Sequence, residues 1–243
     1  MTDHLSSVGD GDARPSASVR AYRVLKERIL TCEYPPGSSL IEGRLAESLD
    51  VSKTPIREAL AMLVHEGFVE VLPRQGYRVS DLTIGDVQEI FNLRLLLEPA
   101  AAAMAAEHAT AEQLQALRAL ADEEDDADDF RTFIAQNRTF HVKLAEASGN
   151  ARLAATLTHL LEEMQRLYLS GLDLRGGIED QRGEHRDQVA ALLKGNHHLA
   201  HEIAVRQIES SRVRVMESLL AAMSSPSPAA VNVNLETRRA SGR

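Results

Sequence analysis

The hydrophobic pattern of the chain changes once, near Ser80, and this change sets the strongest limit on its fold. Before Ser80, short helical periods alternate with segments in which every second residue is apolar. After it, apolar residues recur every three or four positions almost to Met223, and no strand-like alternation of useful length occurs. The sequence therefore predicts a small mixed domain followed by a larger, all-helical one.

These patterns also set the predicted domain limits. The mixed domain is predicted over residues 17–80 and the helical domain over residues 81–223. Residues 1–16 and 224–243 are rich in Gly, Ser, Pro and charged residues, a composition typical of disordered tails.

The order of elements in the mixed domain is that of a winged helix-turn-helix. Predicted in turn are a helix over about Ala17–Thr31, an extended piece at Ser39–Ile41, a short helix over Glu42–Leu49, a third helix capped by Ser52, and a hairpin that turns at Arg74-Gln75-Gly76. Pro55 lies in the first turn of the third helix, where its missing N–H costs nothing.

The third helix has a polar beginning and an apolar side. Its polar end carries Ser52, Lys53, Thr54 and Arg57, and its apolar side carries Ala59, Leu60, Leu63 and Val64. A helix with this arrangement can dock on its neighbours and still present its first turn to the DNA major groove, which is roughly 12 Å wide.

Six amphipathic helices are predicted in the second domain. They cover about Ile84–His108, Ala111–Asp122, Asp128–Ala147, Ala151–Leu169, Glu179–Lys194 and His198–Met223. Since the connections between them are short, the expected arrangement is an antiparallel bundle, and the fold class is mainly α.

The composition excludes several other classes of protein. The longest uncharged apolar run, Pro99–Ala106, is far shorter than the ~20 residues of a membrane span. The first residues lack the apolar core of a signal peptide, so we expect a cytoplasmic protein without a membrane partner. Cys32 is the only cysteine, which excludes an intrachain disulfide and a multi-thiolate zinc site.

The net charge of −9 conceals an uneven distribution. Residues 17–80 carry 9 basic and 8 acidic side chains, whereas residues 81–222 carry 14 and 24. Part of the acidic surplus lies in the run Asp122–Asp129, expected to be a solvated loop or helix end. The first domain is therefore close to neutral, and an acidic total does not exclude nucleic-acid binding.

The segment "VSKTPIREAL", Val51–Leu60, resembles the DNA-binding signature of the GntR family of bacterial transcription regulators. The segments "LRLLLEPAAAAMAA", "FHVKLAEASGN" and "EHRDQVAALLKGN" resemble the FCD effector-binding domain of the FadR subfamily. The resemblance covers about residues 17–222. It implies that the residues reading the groove are Ser52, Lys53, Thr54 and Arg57, with Arg74 and Gly76 at the tip of the wing.

The chain departs from the family at two of its DNA-reading positions. Lys53 stands where arginine is usual, which keeps the charge but loses the bidentate fork that suits a guanine edge. Gly43 stands where relatives often carry arginine, and Arg44 is a candidate substitute that points roughly 100° further round the helix.

The resemblance also implies a polar site inside the helical domain. Relatives commonly hold a divalent metal with one aspartate and three histidines, and the corresponding positions here are Asn137, His141, His185 and Gln207. Three alternatives stay open: a weak site for a metal such as zinc, centred on His141 and His185; a metal-free pocket that binds an organic anion with the help of Arg94; and a satisfied polar core.

The function these features predict is sequence-specific regulation of transcription. The expected protein is a homodimeric repressor that binds a palindromic double-stranded operator and senses a small organic acid through the helical domain. One alternative is a regulator that dimerises and binds DNA without an effector. A more remote one is a metal-dependent enzyme that uses His141 and His185.

Overall fold

The computed structural model describes residues 15–123, 129–172, 174–175 and 178–224. Almost all of the two predicted tails, and residues 124–128 of the acidic run, lie outside these described residues. The chain divides into two compact units. Among the described residues, those up to Glu27 together with Ser39–Arg78 form the first, and Arg28–Ser38 together with those from Val79 onward form the second.

The N-terminal part of the chain has the predicted winged helix-turn-helix order. The elements are α1 (Ala17–Leu30), β1 (Ser39–Leu40), α2 (Glu42–Ser48), α3 (Lys53–His65), β2 (Val69–Leu72) and β3 (Gly76–Val79). The strands form one sheet in the order β1-β3-β2. β1 pairs antiparallel with β3, so that Ser39 lies opposite Arg78 and Leu40 opposite Tyr77.

The apolar side predicted for α3 is the side that the first unit buries. Ala59, Leu60 and Leu63 are fully buried, whereas Val64 is half-buried at the edge. Phe68, just after α3, is buried as well. Because this side is occupied by the core, the beginning of α3 faces solvent.

The second unit contains six helices among its described residues, and the predicted helices are confirmed to within about two residues at each end. They are α4 (Ile84–His108), α5 (Ala111–Glu123), α6 (Phe130–Ala147), α7 (Ala151–Tyr168), α8 (Ile178–Leu193) and α9 (His197–Ser224). α4 is the central helix, since it packs against α6, α7, α8 and, most extensively, α9.

Several helices of the second unit begin at side-chain caps. Thr83 accepts a hydrogen bond from the backbone N–H of Asp86, and the Asp86 carboxylate accepts one from the N–H of Thr83. This reciprocal pair satisfies two N–H groups that would otherwise lack partners at the start of α4. Among the helices that the structure describes, none combines the length and apolar character that crossing a bilayer requires.

Candidate functional site

The polar beginning of α3 is fully presented to solvent. Ser52, Lys53, Thr54 and Arg57 are all exposed, as is Arg44 on the preceding helix. Ser52 occupies the N-cap position, but its side chain makes no cap hydrogen bond. The cap predicted from the sequence is therefore right in position and wrong in its hydrogen bond, and the hydroxyl is not occupied by the helix it precedes.

Arg57 is held in place by an acidic neighbour on α2. Its Nε lies 2.7 Å from Glu42 Oε2, while 63% of the Arg57 side chain remains exposed. Binding through Nε leaves the two terminal nitrogens available. The Glu42 contact thus orients the guanidinium without covering the part that could meet a base or a phosphate.

The two positions that depart from the family are neighbours in the structure. A Cβ placed on Gly43 would lie 3.8 Å from Cε of Lys53. The lysine side chain therefore passes over the glycine, at ordinary van der Waals distance from where a side chain would begin. Arg44 is an exposed residue of α2.

The tip of the wing is a tight turn with a charged residue at its strained position. The N–H of Gln75 donates to the carbonyl of Leu72 at 3.0 Å, and Pro73 fills the first central position of the turn. Arg74, at the second, has a φ of 64°, in the left-handed region that glycine usually occupies. Arg74 and Gly76 are both exposed.

In the second unit, the five predicted interior residues line one small cavity. Arg94 comes from α4, Asn137 and His141 from α6, His185 from α8 and Gln207 from α9. All five are buried, and the cavity volume is about 20 Å³. That is enough space for a water molecule or a small ion and too little for a whole metabolite.

The two histidines face each other across this cavity. Their Nε2 atoms lie 3.1 Å apart, and the ring of His185 stacks on Phe140 with 4.2 Å between centroids. His141 Nδ1 lies 3.2 Å from Glu98 Oε2. Because a carboxylate accepts hydrogen bonds, Nδ1 of His141 carries a proton and donates it to Glu98. The other ring nitrogen of His141, Nε2, shares a hydrogen bond with Nε2 of His185.

Glu98 also binds Arg94, so one carboxylate joins two of the predicted site residues. Arg94 Nε donates to Glu98 Oε1 at 2.5 Å. Burial alone would raise the pKa of Glu98, but the charge of Arg94 and the contact with His141 outweigh it and lower this pKa to about 2. For Arg94 the sense is opposite: burial would lower the pKa, and Glu98 raises it above its ordinary value.

Sequence patterns did not identify half of the residues that line the cavity. The additional lining residues are Tyr168, Gln181, Glu184, Ser211 and Arg214. The hydroxyls of Tyr168 and Ser211 are 2.6 Å apart. Arg94 and Glu98 could be recognised as a pair from their i, i+4 spacing, but the second contact of Glu98, to another helix, had no sequence signal.

The donor set does not fit the four-ligand zinc site that the resemblance implies. The spacing of the two Nε2 atoms is near the roughly 3.4 Å expected for imidazoles sharing a tetrahedral zinc. However, Asn137 and Gln207 are neutral amides, and both Glu98 oxygens are engaged elsewhere. Within the described residues, no cluster of three or more His, Cys, Asp or Glu is arranged to hold a metal. Metal binding stays a prediction, for metal analysis of the purified protein to test.

A larger depression of about 680 Å³ opens beside the cavity. Tyr168 lines both spaces, and Phe130, Leu169 and Leu172 supply much of the apolar wall of the larger one. The histidines and amides of the polar cavity do not reach it. Its size suits a metabolite, whereas the convergent polar groups belong to the small cavity.

Comparison with known protein families identifies two matching domains. The profile of bacterial regulatory proteins of the gntR family matches residues 17–79. The profile of the FCD domain matches residues 89–210. The two profiles thus match the two parts of the chain that differ in hydrophobic pattern.

Proteins named as bacterial transcription regulators are similar to this chain. A probable D-xylose utilization operon transcriptional repressor of Paenarthrobacter nicotinovorans is 31% identical over 197 residues, which cover 78% of this chain and 85% of that protein. The uncharacterized HTH-type transcriptional regulator YdhC of Bacillus subtilis is 34% identical over 143 residues, 57% of this chain. That alignment covers only 64% of YdhC, less than two thirds of its length.

Solved structures show the same fold. McbR/YncC of Escherichia coli superposes with a TM-score of 0.75 over 84% of this chain and 99% of that one, at 24% identity. A GntR regulator from Rhodococcus sp. RHA1 gives a TM-score of 0.74 at 21% identity, with the same coverage of both chains. At these identities the likeness establishes the fold alone.

Proposed function

Because this chain belongs to the GntR family of bacterial regulatory proteins and carries an FCD domain, we propose that it is a ligand-responsive transcription repressor. It binds a palindromic DNA operator as a homodimer and releases it when a small organic acid binds the helical domain. Relatives named as repressors support this direction of control, among them the D-xylose operon regulator and RspR of Escherichia coli.

The observation that carries the proposal is the exposed polar beginning of α3. Lys53, Thr54 and Arg57 project from one helix end whose opposite side is buried. Unpaired N–H groups at a helix N-terminus favour phosphate oxygens, and arginine reads guanine through two parallel hydrogen bonds. This end of the helix therefore supplies both the attraction to the DNA backbone and a means of reading bases.

A homodimer is proposed because one recognition helix contacts too few base pairs to select an operator. One recognition helix contacts only a few base pairs, and a two-fold axis places a second one in the next major groove. Apolar side chains left exposed on the single chain support a further partner surface, with Leu96 on α4 70% exposed and Leu220 on α9 59% exposed.

The effector acts by linkage between two sites. A ligand that binds the helical domain can release DNA only if it prefers the arrangement that does not fit the operator, typically by 1–3 kcal/mol. The buried polar residues Arg94, His141 and His185 mark where it is recognised. Since their cavity is small, it receives one group of the effector, such as a carboxylate, rather than the whole molecule.

The two alternatives are distinguished by the same cavity. If His141→Ala and His185→Ala leave metabolite-induced release of the operator unchanged for every metabolite tested, a regulator without an effector is favoured. For an enzyme, a volume of about 20 Å³ leaves no room for a substrate beside the two histidines.

Replacement of Arg57 by alanine tests the DNA-binding proposal. The operator is first enriched from a random DNA pool with the full-length protein, and affinity is then measured for operator and scrambled duplexes at one salt concentration. We expect Arg57→Ala to weaken operator binding by about 1–3 kcal/mol, with a much smaller loss on scrambled DNA. Arg118→Ala, which removes an exposed arginine of the helical domain, is the matched control and leaves both affinities unchanged.

Two outcomes would count against this assignment. An equal loss on both duplexes means that Arg57 contacts phosphates and that other residues read the sequence. Failure to enrich any sequence, with a folded protein, contradicts sequence-specific binding itself.

A further inference from the structure

In the wall of the polar cavity, the buried side-chain atoms without a hydrogen-bond partner among the described residues are all donors. Three of its nitrogen atoms are buried and have no partner among the described residues: Arg94 Nη1, Gln207 Nε2 and Arg214 Nη2. Arg94 is itself only 4% exposed. Guanidinium groups donate and never accept, so the two arginine atoms among the three can be satisfied only by an acceptor. Burying such a donor without one is costly.

The Glu98 carboxylate and the two imidazoles beside this cavity are already engaged with other groups. One carboxylate oxygen of Glu98 accepts from Arg94 Nε, and the other accepts from His141 Nδ1. The facing nitrogens of His141 and His185 share a hydrogen bond with each other. The remaining acidic residue of the cavity wall is Glu184, which is half-buried.

These donors occupy the place where relatives are expected to hold a metal. Asn137 and Gln207 are neutral amides at the positions where the family implies an anionic and an imidazole ligand, which weakens attraction for a cation, while the unpartnered donors favour an anion. We propose that this cavity is a metal-independent site for the carboxylate of a small organic acid, with Arg94, Gln207 and Arg214 as its donors. The inference rests on the proposed function, since this carboxylate is the group by which the effector is recognised.

The size and the chemistry of the cavity define a suitable probe. Formate is the smallest carboxylate, and formamide has the same shape without the charge. A ligand of three non-hydrogen atoms binds no more tightly than about millimolar, so formate is used at tens of millimolar. Ionic strength is held constant with sodium methanesulfonate, which is bulkier than formate.

The experiment measures the Tm of the full-length protein after treatment with chelator and desalting. Formate is expected to raise Tm by about 2–5 °C, whereas formamide and zinc sulfate leave it unchanged. Arg214→Met and Gln207→Leu should each lose most of this rise. Arg212→Met, the matched control on the same helix, should keep it, because Arg212 does not line the cavity.

A gain-of-function variant tests the metal half of the inference. Asn137→Asp combined with Gln207→His restores the ligand types that the family implies. Metal analysis should find stoichiometric zinc in this variant and none in the natural protein, both purified without a histidine tag.

Several results would overturn the inference. They are no effect of formate on Tm, an effect that needs added zinc, equal effects in Arg214→Met and Arg212→Met, or stoichiometric zinc in the natural protein. Operator binding is measured on the same samples. If it persists while formate has no effect, the regulator proposal stands and only the anion site fails; if it is absent, the regulator proposal fails separately.

Discussion

At the scale of single residues, Arg74 has a left-handed backbone conformation that disfavours any residue with a Cβ atom. With φ at 64°, an arginine there costs about 1–2 kcal/mol relative to its relaxed conformation, and glycine would avoid this cost. Backbone strain of this kind is concentrated at functional sites. The exposed position at the tip of a wing is consistent with contact to the DNA backbone.

Replacement of Arg74 by glycine should therefore separate stability from DNA binding. We expect Arg74→Gly to leave Tm unchanged or slightly raised, because relief of strain offsets the greater entropy of glycine in the unfolded chain. It should weaken binding about equally on all sequences and reduce the salt dependence by the equivalent of about one phosphate contact. Arg74→Lys should retain the salt dependence; a loss of sequence preference in Arg74→Gly would contradict a phosphate role.

Glu98 is the second residue with a distinct effect, here on acid stability. Its pKa is lowered to about 2 in the folded protein, against 4.5 ordinarily. A carboxyl group whose pKa is lower in the folded than in the unfolded protein stabilises the fold at any pH above its unfolded-state pKa. This stabilisation is lost as the pH falls through the folded-state pKa. Glu98 therefore contributes stability above pH 4.5, and this contribution is lost between about pH 4.5 and pH 2.

Glu98→Gln should lower stability at neutral pH and flatten its dependence on pH in this range. At pH 7 the variant leaves Arg94 buried without a counter-charge, which typically costs about 3–5 kcal/mol. Urea midpoints measured at several pH values between 3 and 7 test both effects. Glu209→Gln, an exposed change on α9, serves as the control, and an identical pH dependence in both variants would refute the role of Glu98.

At the scale of elements, α4 connects several features of the helical domain. It begins at the Thr83–Asp86 capping box, packs against four other helices and carries both Arg94 and Glu98 on its inner side. The position of its first turn therefore matters for residues two and three turns further on.

Removal of the cap tests how firmly α4 is anchored. Thr83→Ala is expected to destabilise the protein by about 1 kcal/mol, since it leaves the N–H of Asp86 without its partner. Thr156→Ala, at an exposed position within α7, should be neutral or slightly stabilising and provides the comparison. Equal midpoints for the two variants would mean that the capping box contributes nothing.

The elements could be predicted because their signals are local. Apolar periodicity, Pro55 and the turn at Arg74 to Gly76 are each contained within one segment of sequence, and the nine described helices follow the predicted ones closely. Asn137 and His141 could be placed on one side of α6 for the same reason, being four residues apart.

The missing parts of the site depend on contacts between helices. Tyr168 and Ser211 meet from α7 and α9, and Glu98 of α4 meets His141 of α6. No periodicity encodes which residues of different helices become neighbours. The error about the hydrogen bond of Ser52 has a different cause. Ser52 does lie at the cap position, but the local sequence does not determine its side-chain rotamer.

At the scale of the whole molecule, the acidic total and the DNA-binding proposal are compatible because charge is distributed by domain. The nearly neutral segment 17–80 carries the recognition helix, and the helical domain carries the acidic excess. The net charge of −9 is therefore no argument against DNA binding by the first domain.

Sequence-specific DNA binding by a homodimer is tested by the ratio of its affinities for operator and scrambled DNA. The full-length protein, its mass in solution measured by light scattering, is titrated with the enriched operator and with a scrambled duplex at one physiological salt concentration. We expect a dimer that binds a two-fold symmetric operator at least about 10³-fold more tightly than the scrambled duplex. Equal affinities for the two duplexes would contradict it.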